Sequence, residues 1–244
     1  MDGVFPIRLW PVRLWPVRLW IATIGLGILA GAVFLAMPEI DLAAARIFYA
    51  PETGFVGRRL WVEVLRQAFV VLYFGTVALC LVGLILVWRK RAQWLGLEKR
   101  RWLFLAACLA AGPGLVANLV LKDHWGRARP AQVVAFGGTK RFTPPLAISN
   151  QCHRNCSFVS GEASSTYVTF YAAAALFPQW SAALAIAGTV AGLATGLIRM
   201  AQGAHFLSDI VFAGVFMALT VLALREAMLR GKRRADALPP SPSG

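Results

Sequence analysis

Uncharged runs of about 20 residues alternate with charged segments along most of this chain. A run of that length crosses the ~30 Å hydrocarbon core of a bilayer as a helix. The pattern predicts six membrane helices, over residues 21–37, 68–87, 102–121, 158–177, 180–198 and 206–224. Gly112, Pro113 and Gly114 fall inside the third and predict a kink there. Pro178 and Gln179 form a short turn between the fourth and fifth. Residues 38–67 carry Glu39, Asp41, Arg46, Glu52, Arg58, Arg59, Glu63 and Arg66, and predict a mixed-charge loop, part of it an interfacial helix. Residues 122–156 predict a long polar loop.

Residues 6–20 are a triple repeat of Pro-(Ile/Val)-Arg-Leu-Trp. A proline at every fifth position predicts that the repeat forms no regular helix. Its arginines and tryptophans suit a membrane interface; a tandem duplication without function explains them equally. A basic lead before an apolar run also fits a signal peptide, but residues 21–37 are long for one and read as a retained anchor. The far end is rich in Pro and Ser and predicts disorder. The chain thus divides into an interfacial repeat (1–20), a six-span domain (21–230) and a disordered tail (231–244).

Composition agrees with a membrane protein. Of 244 residues, 58% are hydrophobic, with a mean hydropathy of +0.63, more apolar than a soluble domain. The fold class expected is all-α, a polytopic helical bundle. The net charge of +14 raises nucleic acid as a partner, but topology accounts for it more simply. Basic residues gather at Arg8, Arg13 and Arg18, again over residues 89–101, and again over 225–234. Six spans place all three clusters on one side, the cytoplasmic side by the positive-inside rule. The expectation is a multi-pass inner (plasma) membrane protein whose loops 38–67, 122–157 and 199–205 face the periplasm or exterior, with the bilayer and not nucleic acid as partner.

Cys80 and Cys108 lie in apolar runs and read as packing residues. Cys152 and Cys156 flank His153 in Cys-His-Arg-Asn-Cys. That pair admits a small disulfide loop, free thiols, or a metal site with His153.

Three polar constellations meet on the outer side. Residues 122–130 read Lys-Asp-His-Trp-Gly-Arg-Ala-Arg-Pro; residues 157–162 read Ser-Phe-Val-Ser-Gly-Glu; residues 199–209 hold Arg199, His205 and Asp209. Lys122, Arg129 and Arg199 can converge on a dianion, and arginine forks match phosphate oxygens in pairs. Ser160 and Gly161 open a helix whose free N–H groups favour an anion. His205 and Asp209 are four apart, so on a helix they share a face, and the aspartate can accept from one imidazole nitrogen while the other attacks. Ionisable groups at membrane depth are expensive and mark function. Together these residues read as phosphoryl-transfer chemistry.

The residues resemble the type-2 phosphatidic-acid phosphatase superfamily of integral lipid phosphatases. Its signature is Lys-x6-Arg-Pro, then Pro-Ser-Gly-His, then Ser-Arg-x5-His-x3-Asp. This chain has Lys122-x6-Arg129-Pro130 and Arg199-x5-His205-x3-Asp209 with matching spacing. The resemblance implies that His205 is the nucleophile forming a phosphohistidine and that Asp209 orients it. It implies a phosphate cradle of Lys122, Arg129, Ser160, Gly161 and Arg199, and no metal or other cofactor. Three positions depart from the signature: Val159 for proline, Ile198 for serine, and Glu162 for the histidine that protonates the leaving oxygen. Glu162 is the candidate replacement acid, with His124 and His153 as other choices and an ion pair with Arg127 or Arg129 as the structural reading. The function implied is a membrane lipid phosphate phosphatase acting on phosphatidic acid, phosphatidylglycerol phosphate, polyprenyl diphosphate or lipid A. A lipid phosphotransferase and an anionic-lipid-binding pseudoenzyme are the alternatives.

Overall fold

The computed structural model describes residues 15–89 and 92–229. Most of the N-terminal repeat and the Pro- and Ser-rich tail lie outside the described residues. Among those described are seven α-helices: α1 (Trp15–Ala36), α2 (Glu39–Arg46), α3 (Leu60–Trp88), α4 (Lys99–Leu109), α5 (Gly161–Leu176), α6 (Ser181–Ala201) and α7 (Leu207–Leu229). A two-residue antiparallel hairpin, β1 (Tyr49–Ala50) with β2 (Gly54–Phe55), follows α2, and a second, β3 (Gln93–Trp94) with β4 (Leu97–Glu98), precedes α4.

The third repeat unit is helical, contrary to the expectation from its proline. Pro16 is the second residue of α1, in the first turn, where a backbone N–H has no intrahelical partner to lose. α3 begins well before the predicted span and takes Glu63 and Arg66 into its first two turns, so part of the expected loop is helix. A second helix in that loop is α2. The predicted kink at Pro113 takes another form: α4 continues without a break as a π-helix over Ala110–Lys122. Proline has no N–H for the i−4 carbonyl, and the wider i→i+5 register absorbs the defect.

Among the described residues, five helical stretches are long and apolar enough to cross a membrane: Val17–Ala36, Leu60–Trp88, Lys99–Lys122, Pro178–Ala201 and Leu207–Leu229. The fourth predicted span, residues 158–177, corresponds to α5, which is not among these five. It has 16 residues, about 24 Å at ~1.5 Å per residue. α5 is the centre of the bundle, packed against α3, α4, the π-helix, α6 and α7. Ser164, Ser165, Thr166 and Thr169 satisfy their hydroxyls on carbonyls one turn back, which lets a polar helix sit inside an apolar bundle. The α5–α6 seam is close because Gly188 and Gly192 of α6 lie against Phe170 and Tyr167 of α5. On the outside of the bundle, α1 and α3 expose Ile21, Ile28, Leu29, Val71 and Phe74, the surface that lipid would cover.

Candidate active site

The polar constellations predicted from sequence meet at one end of the bundle. The first turns of α3, α5 and α7 arrive there together with the last turns of the π-helix and α6. The long loop between Asp123 and Ser160 folds over the same end. A cavity of about 700 Å³ opens at this end, between the start of α3, the end of α6 and the loops beside them, lined by Glu63, Arg66, Arg129, Gln132, Arg199 and Gln202, with Gly57, Ala131, Gly203 and Ala204 as its small residues.

His205 adjoins Ala204 in the cavity wall and is 2% exposed. It precedes α7 and is not part of it, so the shared helix face expected of His205 and Asp209 does not exist. Its partner differs too. Nδ1–H donates to the backbone carbonyl of Ser157 at 2.7 Å, while Asp209 Oδ2 stands 3.7 Å away, an ion-pair distance only. Asp209 Oδ2 instead accepts the Ser157 hydroxyl and, at 2.8 Å, the backbone N–H of Phe206. Asp209 therefore orients His205 through Ser157, which it holds by the side chain while the carbonyl of Ser157 holds the ring. With Nδ1 protonated and engaged, Nε2 carries the free lone pair. Burial pushes the imidazole down to about 4, with Lys122 and Arg129 helping and Asp209 opposing.

The cations expected of a phosphate cradle lie near one another at this end. Lys122 ends the π-helix, and its Nζ lies so close to Gly161 that a Cβ there would meet it at 3.0 Å. A side chain at 161 would therefore crowd the lysine, a close approach that suits glycine. Ser160 caps α5, accepting from Ala163 N–H, and donates its own N–H to the Asp209 carbonyl at 3.2 Å. Arg199 ends α6 and donates to Gln202 Oε1 at 2.6 Å. Arg129 donates through Nη2 to the carbonyl and side-chain oxygens of Asn155, both at 2.9 Å. Burial and the neighbouring Arg199 lower the Arg129 guanidinium from its usual value. Asn155 sits at a positive φ of 52°, inside the loop closed by a Cys152–Cys156 disulfide. That bond resolves the cysteine pair: both sulfurs are spent on each other, and neither remains as a thiolate for a metal.

Glu162 does reach the site, with other partners than expected. Its Oε1 accepts from Arg66 at 2.8 Å and lies 3.7 Å from Arg199 Nε. Arg127 and Arg129 use their forks elsewhere. Glu162 Oε2 is buried without a hydrogen-bond partner among the described residues. The other candidate acids are not engaged in the site: His124 bonds to the carbonyls of Leu119 and Val120 at its own helix end, and His153 is exposed in the disulfide loop.

Sequence reasoning missed Arg127, Asp41, Ser157 and Arg66. Arg127 is wholly buried and bridges two carboxylates, Asp209 at 2.6 Å and Asp41 at 2.7 Å. Its guanidinium lies over the Phe206 ring, 4.4 Å from the centroid. Burial pushes the Asp41 carboxyl above the usual range, against the pull of Arg127. Arg127 sat in plain view within the first motif, but nothing in its spacing separated a buried bridge from a third phosphate ligand.

Comparison with known proteins agrees with this arrangement. The PAP2 superfamily model matches residues 101–233. The chain is 38% identical over 208 residues to a lipid A 4'-phosphatase of Francisella tularensis subsp. novicida (strain U112), covering 82% of this chain and 90% of that one. It is 32% identical over 218 residues to a lipid A 4'-phosphatase of Rhizobium leguminosarum, covering 83% and 92%. The fold resembles the crystal structure of a transmembrane PAP2-type phosphatidylglycerolphosphate phosphatase from Bacillus subtilis, with a TM-score of 0.50, 19% identity, and coverage of 89% of this chain and 99% of that one. A buried histidine among polar helix ends, a family match over more than half the chain, and relatives above 30% identity along most of their length agree: this chain belongs to the PAP2 superfamily of membrane phosphatases.

Proposed function

We propose that this chain is a lipid A 4'-phosphatase of a bacterial envelope, acting by a phosphohistidine intermediate at the outer face of the inner membrane. The observation that carries the mechanism is His205, buried and held through Nδ1 by Ser157, with Lys122, Arg129 and Arg199 around it. The substrate class draws support from the lipid A 4'-phosphatases that the chain matches along most of its length. The open cavity of about 700 Å³ is also roomier than a bare phosphate needs and suits a sugar headgroup.

In the first step His205 Nε2 attacks phosphorus. A P–N bond forms, the P–O bond to the sugar breaks, and the departing oxygen takes a proton. Lys122, Arg129, Arg199 and the N–H groups opening α5 bind the non-bridging oxygens as charge shifts onto them. Glu162 supplies the proton, and its unpartnered Oε2 is the oxygen placed to carry it. In the second step water attacks phosphorus and gives its proton back to Glu162, the P–N bond breaks, and inorganic phosphate leaves with His205 restored.

The alternation of helix ends at the site supports a sixth pass through α5 and both termini on one side, and the basic clusters of the sequence favour the cytoplasm for that side. The disulfide beside the cavity suits an oxidising compartment.

Phosphate release by purified protein in detergent tests the reading. Lipid A bearing a 4'-phosphate is expected to outpace phosphatidic acid and phosphatidylglycerol phosphate, with activity intact in EDTA because three cations supply the charge a metal would bring. Glu162→Gln is expected to slow lipid substrates more than an aryl phosphate, whose leaving group needs no proton. No phosphate release from any substrate means a binder, and phosphoryl transfer to a second lipid without release means a transferase.

A further inference from the structure

Asp41 touches none of the cavity, yet it is fully buried and both its oxygens are bonded. It lies on α2, 167 positions from Ser208 in the chain. Its Oδ1 accepts the Ser208 backbone N–H at 2.8 Å, and its Oδ2 accepts both the Ser208 hydroxyl and Arg127 Nη2. Ser208 is the second residue of α7, so its N–H is one of the four that a helix leaves without an internal partner. Asp41 is thus a cap for α7 supplied by another helix, favourably placed at the positive end of the helix dipole.

The charge balance is the second observation. Arg127 and Asp209 alone would make a neutral buried pair. Adding Asp41 leaves two carboxylates on one guanidinium, all three side chains without exposure. Burying a surplus charge costs free energy unless something absorbs it. Here the first turn of α7 and the hydroxyls of Ser157 and Ser208 absorb it. The consequence falls on Asp209, which shares Arg127 with a competitor. The Asp209 carboxylate behind His205, opposite the phosphate-binding cations, favours the positive charge that the imidazole gains as the P–N bond forms.

We propose that Asp41 is a positioning residue for phosphoryl transfer: through Arg127 and the first turn of α7 it fixes Asp209, and so Ser157 and His205, against the phosphate site. The inference rests on His205 being the nucleophile. Removing outer partners of a metal-ligating histidine costs ~10–100-fold, and a loss of about tenfold or more in kcat is expected here for Asp41→Asn, with KM nearly unchanged.

A double-mutant cycle separates positioning from plain structural support. Full-length wild type, Asp41→Asn, Asp209→Asn and the double variant are purified in detergent and assayed for phosphate release, with thermal melts run alongside. If Asp41 acts through Asp209, Asp41→Asn costs little more once Asp209 is Asn. If it only holds the fold, the losses multiply and follow the folded fraction, and the proposal is overturned. A folded Asp41→Asn protein with wild-type kcat overturns it as well. Should Asp41→Asn not fold, Ser208→Ala removes the hydroxyl shared by Asp41 and Arg127 without removing charge, and the same cycle with Asp209→Asn is read. His205→Ala is the control: if that variant keeps activity, the functional reading fails. If it is inactive while Asp41→Asn is unimpaired, only this inference fails.

Discussion

At the scale of single residues, His205 is the proposed nucleophile and Arg127 a buried support. A nucleophilic His205 reacts in its neutral form. Its ordinary value near ~6.5 is pushed down to about 4 by burial, so protonation, and with it loss of the nucleophile, comes only as pH falls through about 4. The kcat/KM of free enzyme is therefore expected to show no His205 limb near 6.5, only a fall near 4. An acid limb at 6.5 would mean a solvated imidazole and contradict the burial found here. His205→Ala is expected to abolish turnover, and a variant retaining a tenth of wild-type activity would end its assignment as nucleophile. Arg127 bears on stability. Its Nη1 and Nη2 serve different carboxylates, a span that one ammonium does not reproduce. Breaking a buried pair leaves an uncompensated charge and costs ~3–5 kcal/mol. Arg127→Met is expected to lower the melting temperature sharply in detergent, and Arg127→Lys to recover little of it.

At the scale of elements, the site depends on how closely α5 and α6 approach. A Cβ on Gly192 would collide with the Tyr167 ring, whereas a Cβ on Gly75 of α3 would meet nothing within 4 Å. Overpacking of this kind costs ~1–3 kcal/mol. Gly192→Ala is expected to lower both melting temperature and activity, since pushing on Tyr167 shifts the helix whose first turn carries Gly161. Gly75→Ala, at an open helical position, is expected to leave both unchanged. Equal losses in the two variants would show that helix propensity and not the seam is what matters. The π-helix has a comparable effect. Its wider register runs on to Lys122, the residue whose Nζ crowds Gly161.

At the scale of the molecule, the end of the bundle that carries the candidate site collects the starts of α3, α5 and α7 and the ends of the π-helix and α6. Helices joined in chain order can contribute that way only if they alternate in direction. The alternation puts Lys140, exposed in the long loop, on the cavity side. Lys140→Cys is expected to react with a membrane-impermeant maleimide in cells whose outer envelope has been permeabilised and whose inner membrane is intact. The native thiols do not compete, since Cys80 and Cys108 are buried and Cys152 is bonded to Cys156. Labelling only after lysis would invert the topology.

The sequence by itself determined the membrane class, the helical bundle, and the polar residues that gather at the candidate site. Hydropathy runs reflect the bilayer's thickness, a local property of each segment, and Lys122, Arg129, Arg199, His205 and Asp209 announced themselves by type and spacing. Even there a local rule misled: the four-residue interval between His205 and Asp209 suggested one helix face, but α7 begins after His205 and Ser157 takes the ring proton. The tertiary structure alone decided the partners. Arg66 meets Glu162 from 96 positions away, and Arg127 meets Asp41 from 86. Asn155 reaches Arg129 by way of the disulfide loop. A charged residue in a sequence looks the same whether it faces lipid headgroups, water or a carboxylate. Which of these it meets is set by long-range packing, where burial makes an unpaired charge too costly to keep and so selects partners that no local pattern encodes.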